Sequence, residues 1–374
     1  MIDRFILPSI LKKLYKGKAI IILGPRQSGK TTIAKQIEST SKKPAIWLNA
    51  DEPDIRERLN HANSTQLKRL IGKAQLVIID EAQRIENAGL MIKLFTDQIK
   101  NVQVIATGSS SFELSDKIKE SLAGRKWAFH LFPFSLGEMV EAHGELEESR
   151  LLEHRLVYGM FPEVVTSPGN ETGILSGIAD SVLYKDLFSL EKVKKPALLE
   201  KLIKALALQM GSEVSYHELS QLIGADKETI ERYVHLLERT FVIFRLPAYS
   251  RNLRNELKRA RKIYFYDNGI RNSILAQFSH LNLRTDKGAL WENYLVSERI
   301  KFLHYHNKLR NSFFWRTQQQ QEIDYLEEGD GELSAFEFKW KAKTTVKFPS
   351  QFLIAYPNAS TKMIDTKNYF DFLL

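Results

Sequence analysis

The run Gly24-Pro25-Arg26-Gln27-Ser28-Gly29-Lys30-Thr31 has the spacing G-x-x-x-x-G-K-[ST], which is the pattern of a phosphate-binding loop. Gly24 and Gly29 let the main chain curl until successive N–H groups point at one anion. Lys30 adds a mobile positive charge for β- and γ-phosphates, and Thr31 offers a hydroxyl to Mg²⁺. The predicted ATP contacts are therefore Gly24, Pro25, Arg26, Gln27, Ser28, Gly29, Lys30, Thr31 and Thr32. A second constellation, Gln75-Leu76-Val77-Ile78-Ile79-Asp80-Glu81-Ala82, ends an apolar run in two acids. Asp80 is the predicted Mg²⁺ partner, and Glu81 the group that polarises the attacking water. Aspartate beside glutamate selects ATP hydrolysis over GTPase-type chemistry, so the expected cofactors are ATP and Mg²⁺. The run Thr107-Gly108-Ser109-Ser110-Ser111 supplies Thr107 and Ser109 as candidates to sense the γ-phosphate and fix the water. An alternative use of these serines, capping a helix over 112–122, stays open. Arg125, in Leu122-Ala123-Gly124-Arg125, is a candidate arginine finger directed at the γ-phosphate of a neighbouring subunit.

These groups need strands that end together. Ala19–Leu23 is apolar and β-branched, as a buried parallel strand should be, and Thr32–Ile37 reads as the helix that follows the loop. Further strands are expected at Ala45–Leu48, Leu76–Ile79, Val102–Ala106 and around Trp127–Leu131. Between them, a helix presents Leu90, Leu94, Phe95 and Ile99 on one face. Residues 5–15 read as a short amphipathic helix. Asp51 is expected to cap a helix over Ile55–Leu59. Pro133 and the charged break Gly144–Glu148 mark the end of this unit.

With 374 residues the chain suits two or three domains. Its hydrophobic fraction of 43% and charged fraction of 26% are ordinary for a soluble protein. There are no cysteines, which excludes disulfides and thiolate metal sites and fits a reducing cytoplasm. No apolar run reaches the roughly 20 residues needed to span a bilayer, and the first residues lack signal-peptide character. The expectation is a cytoplasmic protein with no membrane partner. A net charge of +9 permits a polyanionic one.

Gly-Pro-Arg-Gln-Ser-Gly-Lys-Thr-Thr, Ile-Asp-Glu-Ala-Gln, Thr-Gly-Ser-Ser-Ser and Ala-Gly-Arg follow one another in this order. Together they resemble a prokaryotic family of AAA-type ATPases that carry a C-terminal domain of unknown function. Tyr158-Gly159-Met160-Phe161-Pro162-Glu163 and later segments extend the resemblance over the whole chain. It implies a five-stranded parallel sheet with helices on both faces, ATP with Mg²⁺, and possible assembly into a homo-oligomeric ring.

The expected fold class is thus α/β, with an AAA-type sheet domain at 1–145, a helical and winged-helix domain at 146–285, and a restriction-endonuclease-like α/β domain at 286–374. Residues 197–246 have winged-helix spacing, with Ala225–Leu237 in the recognition position and Phe241–Leu246 as the first wing strand. That helix mixes Lys227, Arg232, His235 and Arg239 with Asp226, Glu228, Glu231 and Glu238, which argues against groove insertion. The cluster Arg251, Arg254, Lys258, Arg259, Arg261 and Lys262, opposed only by Glu256, is the candidate contact to DNA or another polyanion. An exposed solvated loop, or a docking surface for an acidic protein, is the competing reading.

In the last unit, Gln321–Leu326 alternates with Glu322 and Asp324 on one face. After a turn at Gly329-Asp330-Gly331, Phe336–Trp340 alternates with Glu337 and Lys339 on its polar face. An acid facing Glu-x-Lys resembles the PD-(D/E)XK nuclease constellation. It implies Asp324 and Glu337 as Mg²⁺ ligands, Lys339 as the activator of water, and Glu292 as an additional acid. Gln351 is placed on the following helix. Ile323 stands where that motif has proline, and Glu-x-Lys is common on any strand. The functional expectation is an ATPase that moves a DNA- or partner-binding, nuclease-like module. The alternatives are an ATP-gated, non-catalytic interaction switch and an ATP-regulated nuclease.

Overall fold

Ala19–Leu23 (β1) is buried at all of its positions, which is why the sequence can fill it with unbroken aliphatics. It belongs to a sheet with β2 (Ala45–Asn49), β3 (Leu76–Asp80), β4 (Gln103–Gly108) and β5 (Lys126–His130). The spatial order is β2-β3-β4-β1-β5, and every neighbouring pair is parallel. The loop Gly24–Gly29 leaves the carboxyl end of β1 and enters helix Lys30–Ser41. Ligand sites of open α/β sheets lie at that edge. The computed structural model describes residues 2–108, 122–181, 195–250, 261–341 and 347–374.

Three local expectations need correction. Helix Ala88–Gln98 buries Met91, Ile92 and Phe95, whereas Leu90 is 53% exposed; the apolar stripe is rotated by about one position. The N-terminal segment is helical only over Leu7–Leu11. Asp51 caps nothing: helix Pro53–Asn60 begins at Glu52 without a side-chain cap, and Asp51 instead pairs with Arg84 at 3.3 Å. Proline at the first helical position leaves one N–H fewer to satisfy. The charged stretch after Gly144 is itself a short helix, Glu145–Arg150.

Helices Leu152–Tyr158, Pro162–Thr166 and Glu171–Asp180 follow, and then Pro196–Leu208, Tyr216–Ile223 and Lys227–Arg239. Ser215 and Asp226 cap the last two, accepting from the N–H groups of Glu218 and Thr229. A three-stranded antiparallel sheet, β6 (Glu213–Val214), β7 (Ile243–Pro247) and β8 (Arg261–Phe265), has the order β6-β8-β7. After helix Asn268–Ile274 comes the longest helix described, Lys287–Tyr305.

A second sheet has β9 (Asn311–Arg316), β10 (Glu322–Gly329), β11 (Glu332–Phe338) and, after helix Ser350–Ala355, β12 (Ser360–Ile364). Its order is β12-β11-β10-β9. β10 runs antiparallel to both neighbours, and β12 runs parallel to β11. One hydrophobic core joins this part to the helical region, with Leu202, Tyr233 and Tyr264 in the same cluster as Trp291, Tyr325 and Phe372. The five-stranded sheet has its own core. Among the described residues no helix is long and apolar enough to cross a membrane.

Candidate nucleotide site and a buried charge cluster

The loop's backbone explains its glycines in two different ways. Gly29 sits at φ +96°, in the left-handed region that glycine enters freely. Gly24 is required by clearance: a Cβ there would lie 2.1 Å from the Leu131 carbonyl oxygen. Gln27 also has positive φ, at +59°. Lys30 is buried, and its ammonium donates to the carbonyls of Gly24 at 3.0 Å and Pro25 at 2.7 Å. Ser28 is fully buried, and its Oγ has no hydrogen-bond partner among the described residues.

β4 lies between β1 and β3, so the end of β4 projects between the loop and the Asp80 carboxylate. There Thr31 Oγ1 donates to Asp80 Oδ2 at 2.9 Å. The Thr107 hydroxyl donates to Asp80 Oδ1 and accepts the Glu81 N–H at 3.2 Å. Glu81 has φ +53°, a conformation that costs a non-glycine residue roughly 1–3 kcal/mol and clusters at functional sites. Its carboxylate accepts from the Gln83 amide. One threonine, one carboxylate and an adjacent anion are the donor set Mg²⁺ takes when substrate phosphates and waters complete its octahedron. The residues present fit that ion.

Around the loop, a cavity of about 480 Å³ is lined by Arg26, Gln27, Gly29, Lys30, Thr31 and Thr32, and by Glu81, Pro162, Glu163 and Ser181. The last three come from the helical region. Sequence reasoning assigned them no role, although the Gly-Met-Phe-Pro-Glu turn that holds two of them was visible. It also missed Arg4, for which no motif exists, and gave no role to Gln83, the last residue of the Ile-Asp-Glu-Ala-Gln run. Ser109 lies outside the described residues. Arg125 stands just before β5, at the amino-terminal edge of the sheet, where its carbonyl accepts the Ala19 N–H. That is the edge opposite the loop, which rules out a role at the γ-phosphate of its own chain. The guanidinium pairs with Asp97 at 2.8 Å, and its side chain is 43% exposed.

The second sheet and the long helix place Glu292, Asp324, Glu337 and Lys339 in one cluster, the grouping that the nuclease-like resemblance implied. Lys339 Nζ is 2.9 Å from Glu337 and 3.9 Å from Asp324, and Asp324 accepts the Phe338 N–H at 2.8 Å. What the sequence did not disclose is Lys262. It belongs to β8 and is 2% exposed, so it cannot track phosphates on a surface, and its place in the polyanion cluster is corrected here. Its ammonium lies 3.0 Å from Glu292 and 2.5 Å from Glu322. Tyr264 donates to the same Glu292 oxygen at 2.6 Å. Arg316 bridges Glu322 and Glu213, at 3.3 Å each. Arg251, Arg254, Lys258 and Arg259 lie outside the described residues; of that cluster Arg261, at the start of β8, is half-buried.

Carboxylates outnumber cations in this cluster, and the titration behaviour follows. Burial, opposed by Lys262 and reinforced by Asp324, pushes Glu292 up to about 7. Burial also raises Asp324, and burial together with Asp324 raises Glu337. For Lys262 burial works downward, but Glu292, Glu322 and Asp324 outweigh it and hold the ammonium firmly protonated. Among the described residues no three acidic or histidine side chains are arranged to hold a metal ion. In this arrangement two ammonium groups are paired with the carboxylates, Lys262 with Glu292 and Glu322 and Lys339 with Glu337 and Asp324.

Comparison with known proteins agrees with this layout. Residues 16–140 match the model of an AAA domain. Residues 149–281 and 287–371 match two domains of unknown function, DUF8612 and DUF4143. An uncharacterized protein of Mycobacterium tuberculosis is 28% identical over 333 residues, covering 88% of this chain and 71% of that one. One from Haemophilus influenzae is 27% identical over 304 residues, covering 76% and 73%. Among solved structures, the Walker-type ATPase of Pyrococcus abyssi aligns with a TM-score of 0.50 at 15% identity, over 74% of this chain and 96% of that one. The chain therefore carries an AAA-type domain on a Walker-type fold, followed by two regions that match domains of unknown function.

Proposed function

We propose that this protein binds Mg²⁺–ATP at Gly24–Thr32 and hydrolyses it. The observation that carries the reading is the hydrogen-bonded set Thr31–Asp80–Thr107, with Glu81 beside it, at the mouth of the loop. The loop amides and Lys30 bind the phosphates, Glu81 orients the attacking water, and Thr107 keeps Asp80 and the Glu81 backbone in register. Bound Mg²⁺ supplies charge neutralisation for the transferring phosphoryl group. Lys30→Ala removes nucleotide binding, while Glu81→Gln binds ATP and does not turn it over. Hydrolysis by the Lys30→Ala protein at the native rate would refute the assignment.

Arg125 serves as a finger only in trans, supplied to a neighbouring copy in a homo-oligomer, and its exposed position favours that use. The working division is an ATPase unit at 1–145, a winged-helix-type unit at 146–285 and a nuclease-like α/β unit at 286–374. The last two share a core and would move as one body.

For that body, a non-cleaving interaction switch is favoured over a nuclease. The observation is Lys262, whose ammonium pairs with Glu292 and Glu322 while Asp324 acts on it from farther away. A nucleic acid partner rests on the remaining basic residues near Arg261. Mg²⁺-dependent cutting of plasmid DNA, lost in Asp324→Ala and Glu337→Ala, would restore the nuclease reading.

A further inference from the structure

Arg4 is buried beneath the phosphate loop and donates from all three guanidinium nitrogens. Nη1 donates to the Ser28 carbonyl at 2.8 Å, and Nη2 to the Phe132 carbonyl at 2.6 Å. Nε donates to Glu138 at 3.0 Å, and Nη2 also reaches the Tyr305 hydroxyl oxygen at 3.3 Å. These four partners come from the loop, from the segment after β5, from helix Leu136–His143, and from the end of the long helix. The Ser28 peptide is trans, so its carbonyl and the Gly29 N–H lie in one rigid plane and point in opposite directions. A cation that holds the carbonyl from below therefore aims the Gly29 N–H above it, toward the bound anion. Arg4 Nη1 also lies against Gly29 itself, 3.6 Å from where a Cβ would stand.

The other side of the grip is the long helix Lys287–Tyr305. Tyr305 accepts the Phe132 N–H at 3.1 Å. Lys301 donates to the Phe134 carbonyl at 3.1 Å, and Glu298 accepts the Leu136 N–H at 2.7 Å. Three residues over about two turns of one helix are thus bolted to residues 132–136. That segment continues from Leu131, the residue that closes over Gly24. Toward its other end the same helix carries Glu292 of the buried charge cluster, about 20 Å away at the helical rise.

We propose that Arg4 is a positioning residue for the phosphate loop, and that Tyr305 ties its grip to the long helix, so that nucleotide occupancy and the placement of the C-terminal region bias each other. The inference rests on the nucleotide reading and adds the route by which that site communicates. Coupling of this kind is reciprocal: a change at Tyr305 alters nucleotide affinity, and nucleotide alters the protection of the helix.

The test is a titration of the full chain with a fluorescent ATP analogue and Mg²⁺, together with amide hydrogen exchange. Arg4→Gln weakens the analogue at least tenfold, and Arg4→Lys, which keeps the charge but not the fork, falls between it and the native protein. In the native protein ATP slows exchange both in the loop and over residues 299–306. In Tyr305→Phe it still slows exchange in the loop but no longer in the helix. A merely structural role would lower melting temperatures and leave affinity unchanged, and that result in a folded Arg4→Gln protein overturns the proposal. Should Arg4→Gln not fold, Tyr305→Phe decides: helix protection equal to native refutes the tie. Failure of the native chain to bind the analogue would instead overturn the nucleotide reading itself, and this inference with it.

Discussion

Replacing Lys262 by methionine removes a buried cation while keeping most of its volume. In the native protein that cation faces Glu292 and Glu322 at 3.0 and 2.5 Å, and Asp324 acts on it from farther away. Loss of one partner from a buried ion pair costs about 3–5 kcal/mol, because the other charge stays desolvated and unpaired. The lower end, about 3 kcal/mol, applies here, since Glu322 retains a quarter of its exposure and water screens it in part. Much of the cost is avoided when Glu292 takes up a proton. Its folded pKa, about 7 in the native protein, lies above the ordinary glutamate value and rises further without the lysine. A carboxyl whose folded pKa is raised loses stability as pH climbs from its unfolded value through the folded one. The Lys262→Met deficit therefore grows from pH 5 to pH 8. Glu292→Gln in the same chain removes most of the deficit, because Glu322 and Asp324 still have Arg316 and Lys339 as partners. Millimolar Mn²⁺ raises the stability of Lys262→Met more than that of the native protein, since a divalent ion can enter where the ammonium stood. The assay is urea unfolding followed by tryptophan fluorescence at pH 5, 6.5 and 8, with and without Mn²⁺. If Lys262→Met is as stable as native protein at pH 8 and indifferent to Mn²⁺, the lysine is not the cluster's counter-ion.

Two further outcomes follow from the geometry. His130, at the end of β5, stacks on His304 of the long helix with ring centroids 5.3 Å apart. Burial and then His304 hold its pKa down, to about 4. Unfolded chains bind that proton from about pH 6.5 downward, so stability falls as pH drops from about 6.5 to 4. The loss is at most about 3.4 kcal/mol, and it shrinks when His130→Phe unfolding is compared over the same range. For Arg125, ATPase rate per chain is measured against protein concentration, with and without duplex DNA. A trans finger makes the native rate rise with concentration while Arg125→Ala stays flat, and equal curves for the two proteins exclude it.

Legibility from sequence followed the range of the interactions. The phosphate loop, the Asp80-Glu81 pair and the first strand were readable because their chemistry is local. Curling amides, a lysine and a strand-end acid are all set by neighbours in the chain. The same locality explains why Glu322, Asp324, Glu337 and Lys339 were found on the right faces of β10 and β11. Period-two alternation fixes a face without knowledge of the partner strand. Leu90 went wrong because a helical stripe can rotate by one residue and still look amphipathic. Asp51 went wrong because a distant arginine, Arg84, competed for its carboxylate.

By itself, then, the order of residues determined where the glycine-rich loop and the Asp80-Glu81 pair stand, and which strand ends carry them. Tertiary structure alone decided what each group faces. It turned Lys262 from a presumed surface contact into the buried counter-ion of Glu292, and it put Arg125 at the edge away from its own loop. It also brought Arg4 and Tyr305, 301 positions apart in the chain, within hydrogen-bonding distance under the loop. The physical reason is that a charged side chain carries no local mark of its partner. Its role is set by desolvation and by whichever opposite charge the fold delivers.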